Sequence, residues 1–113
     1  LDSISPDNIE FKKEIFKIFL SQSENFIAQT RIYLDNKKWL ELGRLAHQFK
    51  PQGSYIGVNE LTKQVALVEK GCAAPDMESL KKTLEVIADL IRRVRGELEV
   101  KLKAWEGAAE KQG

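Results

Sequence analysis

Residues 76–107, DMESLKKTLEVIADLIRRVRGELEVKLKAWEG, carry Met77, Leu80, Leu84, Ile87, Ile91, Val94, Leu98, Leu102 and Trp105 at alternating steps of three and four. At about 100° per residue this spacing gathers all of them on one face of an α-helix. Asp76 stands where a carboxylate can cap the first free N–H groups, with Ser79 in the first turn. The stripe predicts a helix that survives the isolated Gly96, whose cost is about 1 kcal/mol, and that frays from about Gly107. A helix with one apolar face needs partners to bury it against.

The partners lie upstream. Val58, Leu61, Val65, Val68 and Cys72 repeat the spacing between Gly57 and Gly71, with Cys72 expected inside as a small hydrophobe. Trp39, Leu42, Ala46 and Phe49 repeat it after the turn Asn36-Lys37-Lys38. The first segment opens at Ser5-Pro6-Asp7, with Ser5 as N-cap and Pro6 where a missing N–H costs nothing. Phe11, Ile15, Ile18, Phe19, Phe26, Ile27 and Leu34 form its expected apolar face. Ser21-Gln22-Ser23-Glu24 also reads as a capping box, so one long helix and two collinear halves are both open. Four amphipathic helices on short connections predict an all-α fold, an up-down antiparallel four-helix bundle, as a single domain over residues 1–113.

Composition narrows the function. A chain of 113 residues and 12.9 kDa has room for one domain. Eighteen Lys+Arg against 17 Asp+Glu give a formal charge of +1, without the basic excess of a nucleic-acid binder, and the cluster Arg92-Arg93-Arg95 is interleaved with Asp89, Glu97 and Glu99. The single cysteine excludes an internal disulfide and a Cys-based metal cage. No apolar run reaches the roughly 20 residues of a membrane span. A cytoplasmic domain is expected. The start at Leu1 suggests a piece of a longer chain, such as a hybrid sensor kinase anchored in a membrane.

His47 is the only histidine. Its neighbour Ala46 points inward, so His47 sits about a quarter-turn off the core stripe, on a second stripe with Leu40, Gly43, Lys50 and Ser54. Gly43, one turn earlier, leaves space beside the ring, and Lys50, one turn later, brings an ammonium near it that favours the neutral imidazole. An ordinary imidazole, with a pKa of about 6.5, is mostly neutral at pH 7 and has one free nitrogen lone pair. A nucleophilic nitrogen beside a cation suits phosphoryl transfer, in which charge on the transferred oxygens must be offset. No second histidine exists, and no carboxylate lies three or four residues away on either side, so no metal site is expected.

The stretch Ala46-His47-Gln48-Phe49-Lys50-Pro51-Gln52-Gly53-Ser54-Tyr55-Ile56-Gly57 resembles the signature of histidine-containing phosphotransfer (HPt) domains. The likeness extends over nearly the whole helix pattern. It implies that His47 accepts a phosphoryl group on Nε2, that Lys50 steadies the phosphate, and that Gly53, Ser54 and Gly57 keep the surrounding surface close-fitting. The family usually has glycine where this chain has Pro51. A proline there removes the N–H that would bond the His47 carbonyl, which predicts a bend just after His47, with Gln48, Gln52 or water serving the freed carbonyl. Pro51 is either a partner contact or a tolerated kink.

The resemblance implies response-regulator receiver domains as partners, docking over Gly43, Arg44, Gln48, Pro51 and Ser54. It implies no cofactor for this chain, with Mg²⁺ on the receiver, no ATP site of its own, and no nucleic-acid or membrane contact. A monomer is expected. The alternative is a helical adaptor that uses the same surface without accepting phosphate. An enzyme using His47 as general base lacks a second catalytic group on its stripe.

Overall fold

The structure, a computed structural model, describes residues 8–112, with side chains to residue 107. It contains α1 (Ile9–Asp35), α2 (Trp39–Tyr55), α3 (Asn59–Gly71) and α4 (Met77–Gln112), and no strand among the described residues. α1 packs on α2, α2 on α3, α3 on α4 and α4 on α1, which closes a ring of neighbours around one core. The long dimension of 54 Å is the length of α4, 36 residues at about 1.5 Å each. α4 runs as helix to Gln112. Asp76 caps it as anticipated: Oδ1 accepts from the Glu78 N–H and Oδ2 from the Ser79 hydroxyl.

α1 is one helix of 27 residues, so the capping-box pattern at Ser21–Glu24 lies in mid-helix. The expected start at Ser5-Pro6-Asp7 lies outside the described residues. Its buried stripe differs from the expected one. Phe16, Phe19, Ser23, Phe26, Thr30 and Leu34 face inward, whereas Phe11 and Ile18 are exposed. Ser23 and Thr30 hid the pattern because they are polar by type. Each hydroxyl donates to the carbonyl three residues back, Leu20 and Ile27 respectively, and so leaves no unpaired donor in the core. Met77, the first residue of the α4 stripe, is also exposed, and Cys72 is only partly buried.

Aromatic stacking ties the layers together. Phe26 of α1 stacks on Phe49 of α2 at a centroid distance of 4.2 Å, and Phe19 lies 6.2 Å from the same ring. Toward the opposite end of α1, Phe16 stacks on Trp105 of α4 at 5.4 Å. Phe49 belongs to the helix that carries His47, so this packing fixes the roll of α2.

The two turns flanking α2 share one device. After α1 the N–H groups of Lys37 and Lys38 return to the carbonyls of Leu34 and Tyr33, and after α2 those of Gly57 and Val58 return to Ser54 and Gly53. Both are Schellman closures, which put the first residue beyond the cap in the left-handed region. Gly57 meets that demand at φ 74°, and Lys37 occupies it at φ 55° without glycine's freedom. The second closure folds α3 directly back on α2. At Gly53 the helices come so close that an added Cβ would lie 2.4 Å from Thr62 Oγ1 and 2.9 Å from the Thr62 backbone nitrogen.

Truncating Phe26 to alanine should cost about 3–5 kcal/mol in urea unfolding, whereas Phe11→Ala should change stability by less than about 1 kcal/mol. Equal losses would contradict the buried stripe of α1. Two glycine replacements should differ in sign. Gly96 has open space around it, so Gly96→Ala should raise stability by about 0.5–1 kcal/mol through helix propensity alone. Gly53→Ala should lower it by about 1–3 kcal/mol, because the overpacking against backbone outweighs that gain. Thermal unfolding that shows both variants stabilised would refute the close approach of α2 and α3.

Candidate functional site

Ala46 is fully buried, and one residue on, the His47 side chain is 69% exposed, as the offset stripe requires. The ring is not free on both edges. Its Nδ1 lies 2.5 Å from Oε2 of Glu69 on α3, and the other oxygen of the same carboxylate accepts a hydrogen bond from Lys50 Nζ at 2.7 Å. One carboxylate therefore holds both residues. Lys50, expected to set a positive charge beside the imidazole, is instead ion-paired, so its charge is offset before it reaches the ring.

The clamp decides which nitrogen of His47 is free. The Lys50 hydrogen bond, with His47 adding to it against partial desolvation, holds the Glu69 carboxyl below the usual carboxylate range. The group is thus ionised at neutral pH and loses its charge only as the pH falls through that lowered value. An ionised carboxylate can only accept, so the proton between the pair belongs to Nδ1. In the neutral ring Nε2 then bears the lone pair.

Glu69 is the functional residue that the sequence reading missed. The search covered helical neighbours of His47, and Glu69 stands on the next helix. A signal was available in the short turn at Gly57-Val58. His47 and Glu69 lie at nearly equal chain distances from it, as do Gly53 and Thr62, and Gly43 and Cys72, and each of these pairs meets. Gly53 and Gly57 serve the site through that register: Gly53 lets α3 approach and Gly57 turns the chain.

Beside the ring lies an open groove of about 440 Å³. Of the expected docking residues, Gly43, Arg44 and Gln48 line it with His47; Pro51 and Ser54 are exposed further along α2 and do not. Trp39, Leu40, Cys72 and Ala73 give it an apolar wall that the sequence reading had not assigned to the site. A Cβ on Gly43 would make ordinary contact with Cys72 at 3.5 Å, so helix packing does not require glycine there and its effect is to widen the groove. Burial pushes the Cys72 thiol up, which keeps it protonated and unreactive.

α2 runs from Trp39 to Tyr55 without a break, with Pro51 inside it. Among the described residues no side chain donates to the His47 carbonyl; Gln48 and Gln52 do not serve it, and the Gln52 Oε1 is itself buried without a partner. No group of His, Cys, Asp and Glu able to hold a metal ion occurs among the described residues. No helix among them is long and apolar enough to cross a membrane.

A solvent-facing imidazole with one nitrogen engaged and a lysine one turn away is an arrangement suited to carrying a group on the other nitrogen. A family model described as Hpt domain matches residues 14–97, from the first third of α1 to the middle of α4. Neither a search of curated proteins nor one of solved structures finds a match. With the match spanning well over half of the sequence and all four helices, the chain belongs to the Hpt-domain family, whose members are phosphotransfer carriers in two-component signalling rather than kinases.

Proposed function

We propose that this domain receives a phosphoryl group on Nε2 of His47 from the aspartyl phosphate of a response-regulator receiver domain and passes it to an aspartate of another. The observation that carries this reading is the asymmetry of the ring: on a side chain that is 69% exposed, Nδ1 is tied to Glu69 while Nε2 has no hydrogen-bond partner among the described residues. The lone pair of Nε2 forms the N–P bond as the P–O bond to the donor aspartate breaks, and the electron pair of that bond leaves on the aspartate carboxylate. Lys50 offsets charge on the transferred oxygens. Its ammonium has three donors, so one can remain on Glu69 while another turns to the phosphoryl group.

The receiver would dock over the exposed face of α2, where Gly43 leaves the ring accessible and the apolar wall around Leu40 gives the contact a dry centre. Arg44, Gln48, Pro51 and Ser54 would form its rim. Mg²⁺ and the acidic residues that hold it would belong to the receiver. The helices would alternate in direction as an up-down antiparallel bundle. Pairings that run in opposite senses support this: Phe16 with Trp105 and Leu20 with Arg95 along α1 and α4, and Gly43 with Cys72 and Gly53 with Thr62 along α2 and α3. A cytoplasmic setting follows from a receiver partner.

Incubation with a phosphorylated receiver should move label onto the chain in acid-labile, base-stable form. His47→Gln should abolish it, and Lys50→Ala should slow it by about 100-fold, the usual cost of removing one group that stabilises transferred charge. Label that persists at wild-type level on the His47→Gln variant would contradict the assignment. Receiver binding with no transfer of label would favour an adaptor.

A further inference from the structure

α1 carries a second stripe that the bundle leaves uncovered. Phe11, Ile18 and Ile32 recur at multiples of seven, with Asn25 filling the remaining place, and each of the three apolar side chains is about half exposed. Ser21 and Ala28, also exposed, lie three residues after Ile18 and Asn25 and are small enough to let another backbone approach. The helix buries a different face, Phe16, Phe19, Ser23, Phe26, Thr30 and Leu34, so the stripe adds nothing to the core. A period of seven is the spacing with which two helices keep one seam in contact as they wind round each other.

Beside the stripe, one residue earlier at each step, stand Glu10, Lys17, Glu24 and Arg31, whose charges alternate. Lys17, Glu24 and Arg31 form no ion pair among the described residues, although Arg31 shares a groove rim with Asp35, Lys81 and Glu85. Glu10 meets only Lys13, at 3.4 Å, and its own side chain is 89% exposed.

We propose that this face of α1 docks a second copy of the chain, in place of the expected monomer, with the two α1 helices antiparallel across a two-fold axis near Ser21. The alternating row then meets itself with every sign opposed: Glu10 faces the second copy's Arg31, and Lys17 faces its Glu24, each pair occurring twice. Phe11 falls beside the second copy's Ala28 and Ile32, and Ile18 beside its Ser21 and Asn25. The Asn25 amide comes level with the second copy's Glu14, whose carboxylate can accept from it. A parallel pairing would instead set the charged row against Ile15, Gln22 and Gln29, which carry no charge to meet it. α1 contributes no residue to the groove beside His47, so the imidazole stays open in the pair.

Sedimentation velocity of the whole chain tests this. The mass should rise from 12.9 kDa toward twice that value between about 10 µM and about 1 mM, as suits a contact at the small end of specific interfaces. A mass that stays at the single-chain value throughout would overturn the proposal. Ile18→Glu should abolish association while circular dichroism and thermal unfolding stay those of the wild type, because the side chain is exposed; association at wild-type strength in that variant would refute the stripe. Charge tests the order of the helices. Lys17→Glu and Glu24→Lys each place two like-charged pairs in the contact and should weaken it by about fivefold, and the double exchange should restore it. Single variants that associate as well as wild type, or a double exchange no stronger than either, would rule out the antiparallel pairing.

Discussion

One carboxylate shared between an imidazole and an ammonium organises the surface of this domain. Lys50 keeps Glu69 ionised, the ionised oxygen can only accept, and His47 must therefore present its proton on Nδ1 and its lone pair on Nε2. The energetic worth of such a partly exposed cluster to folding is small, since ion pairs in contact with water contribute about 0–1 kcal/mol. Its worth is directional. A free surface histidine would turn about its side-chain bonds and exchange tautomers, and either freedom would dilute the one orientation in which Nε2 can meet an incoming phosphorus atom.

That directionality depends on parts of the fold remote from any chemistry. The clamp joins α2 to α3, so it exists only where those helices are held in close and correct register. Gly57 in the left-handed region folds the chain back, and Gly53 lets the start of α3 come against α2 where a side chain would intrude on Thr62. On the opposite side of α2, Phe49 is held by Phe26 and Phe19 of α1, which fixes the roll of the helix and with it the direction in which His47 leaves the core. Side chains mounted on packed helices keep their geometry more closely than side chains on loops, and the three members of the clamp are all helical.

Much of this is legible in the sequence where one period governs. The stripes of α2, α3 and most of α4 are read directly because their buried positions are apolar by type, and the exposure of His47 follows from its angle to Ala46. α1 is harder: Ser23 and Thr30 bury hydroxyls satisfied by their own backbone, and Phe11 and Ile18 are apolar yet exposed, so residue type misleads in both directions. The site divides in the same way. His47 and Lys50 are neighbours on one helix and can be paired by counting. Glu69 comes from another helix, and only the mirror relation about the Gly57 turn would have placed it. Pro51, read as a bend or a partner contact, lies inside the continuous span of α2, where its missing N–H leaves the His47 carbonyl without its usual helical partner.

The central claim is that the free nitrogen of His47 is Nε2 and that it bears the phosphoryl group. Phosphorus NMR of the folded domain after transfer from a phosphorylated receiver measures this directly, because phosphate on the two ring nitrogens gives distinct signals. A single signal for the Nε2-linked isomer is the predicted result. A signal from the Nδ1-linked isomer would mean that Glu69 does not hold that edge of the ring, and the geometry described above would not be the one that works in solution.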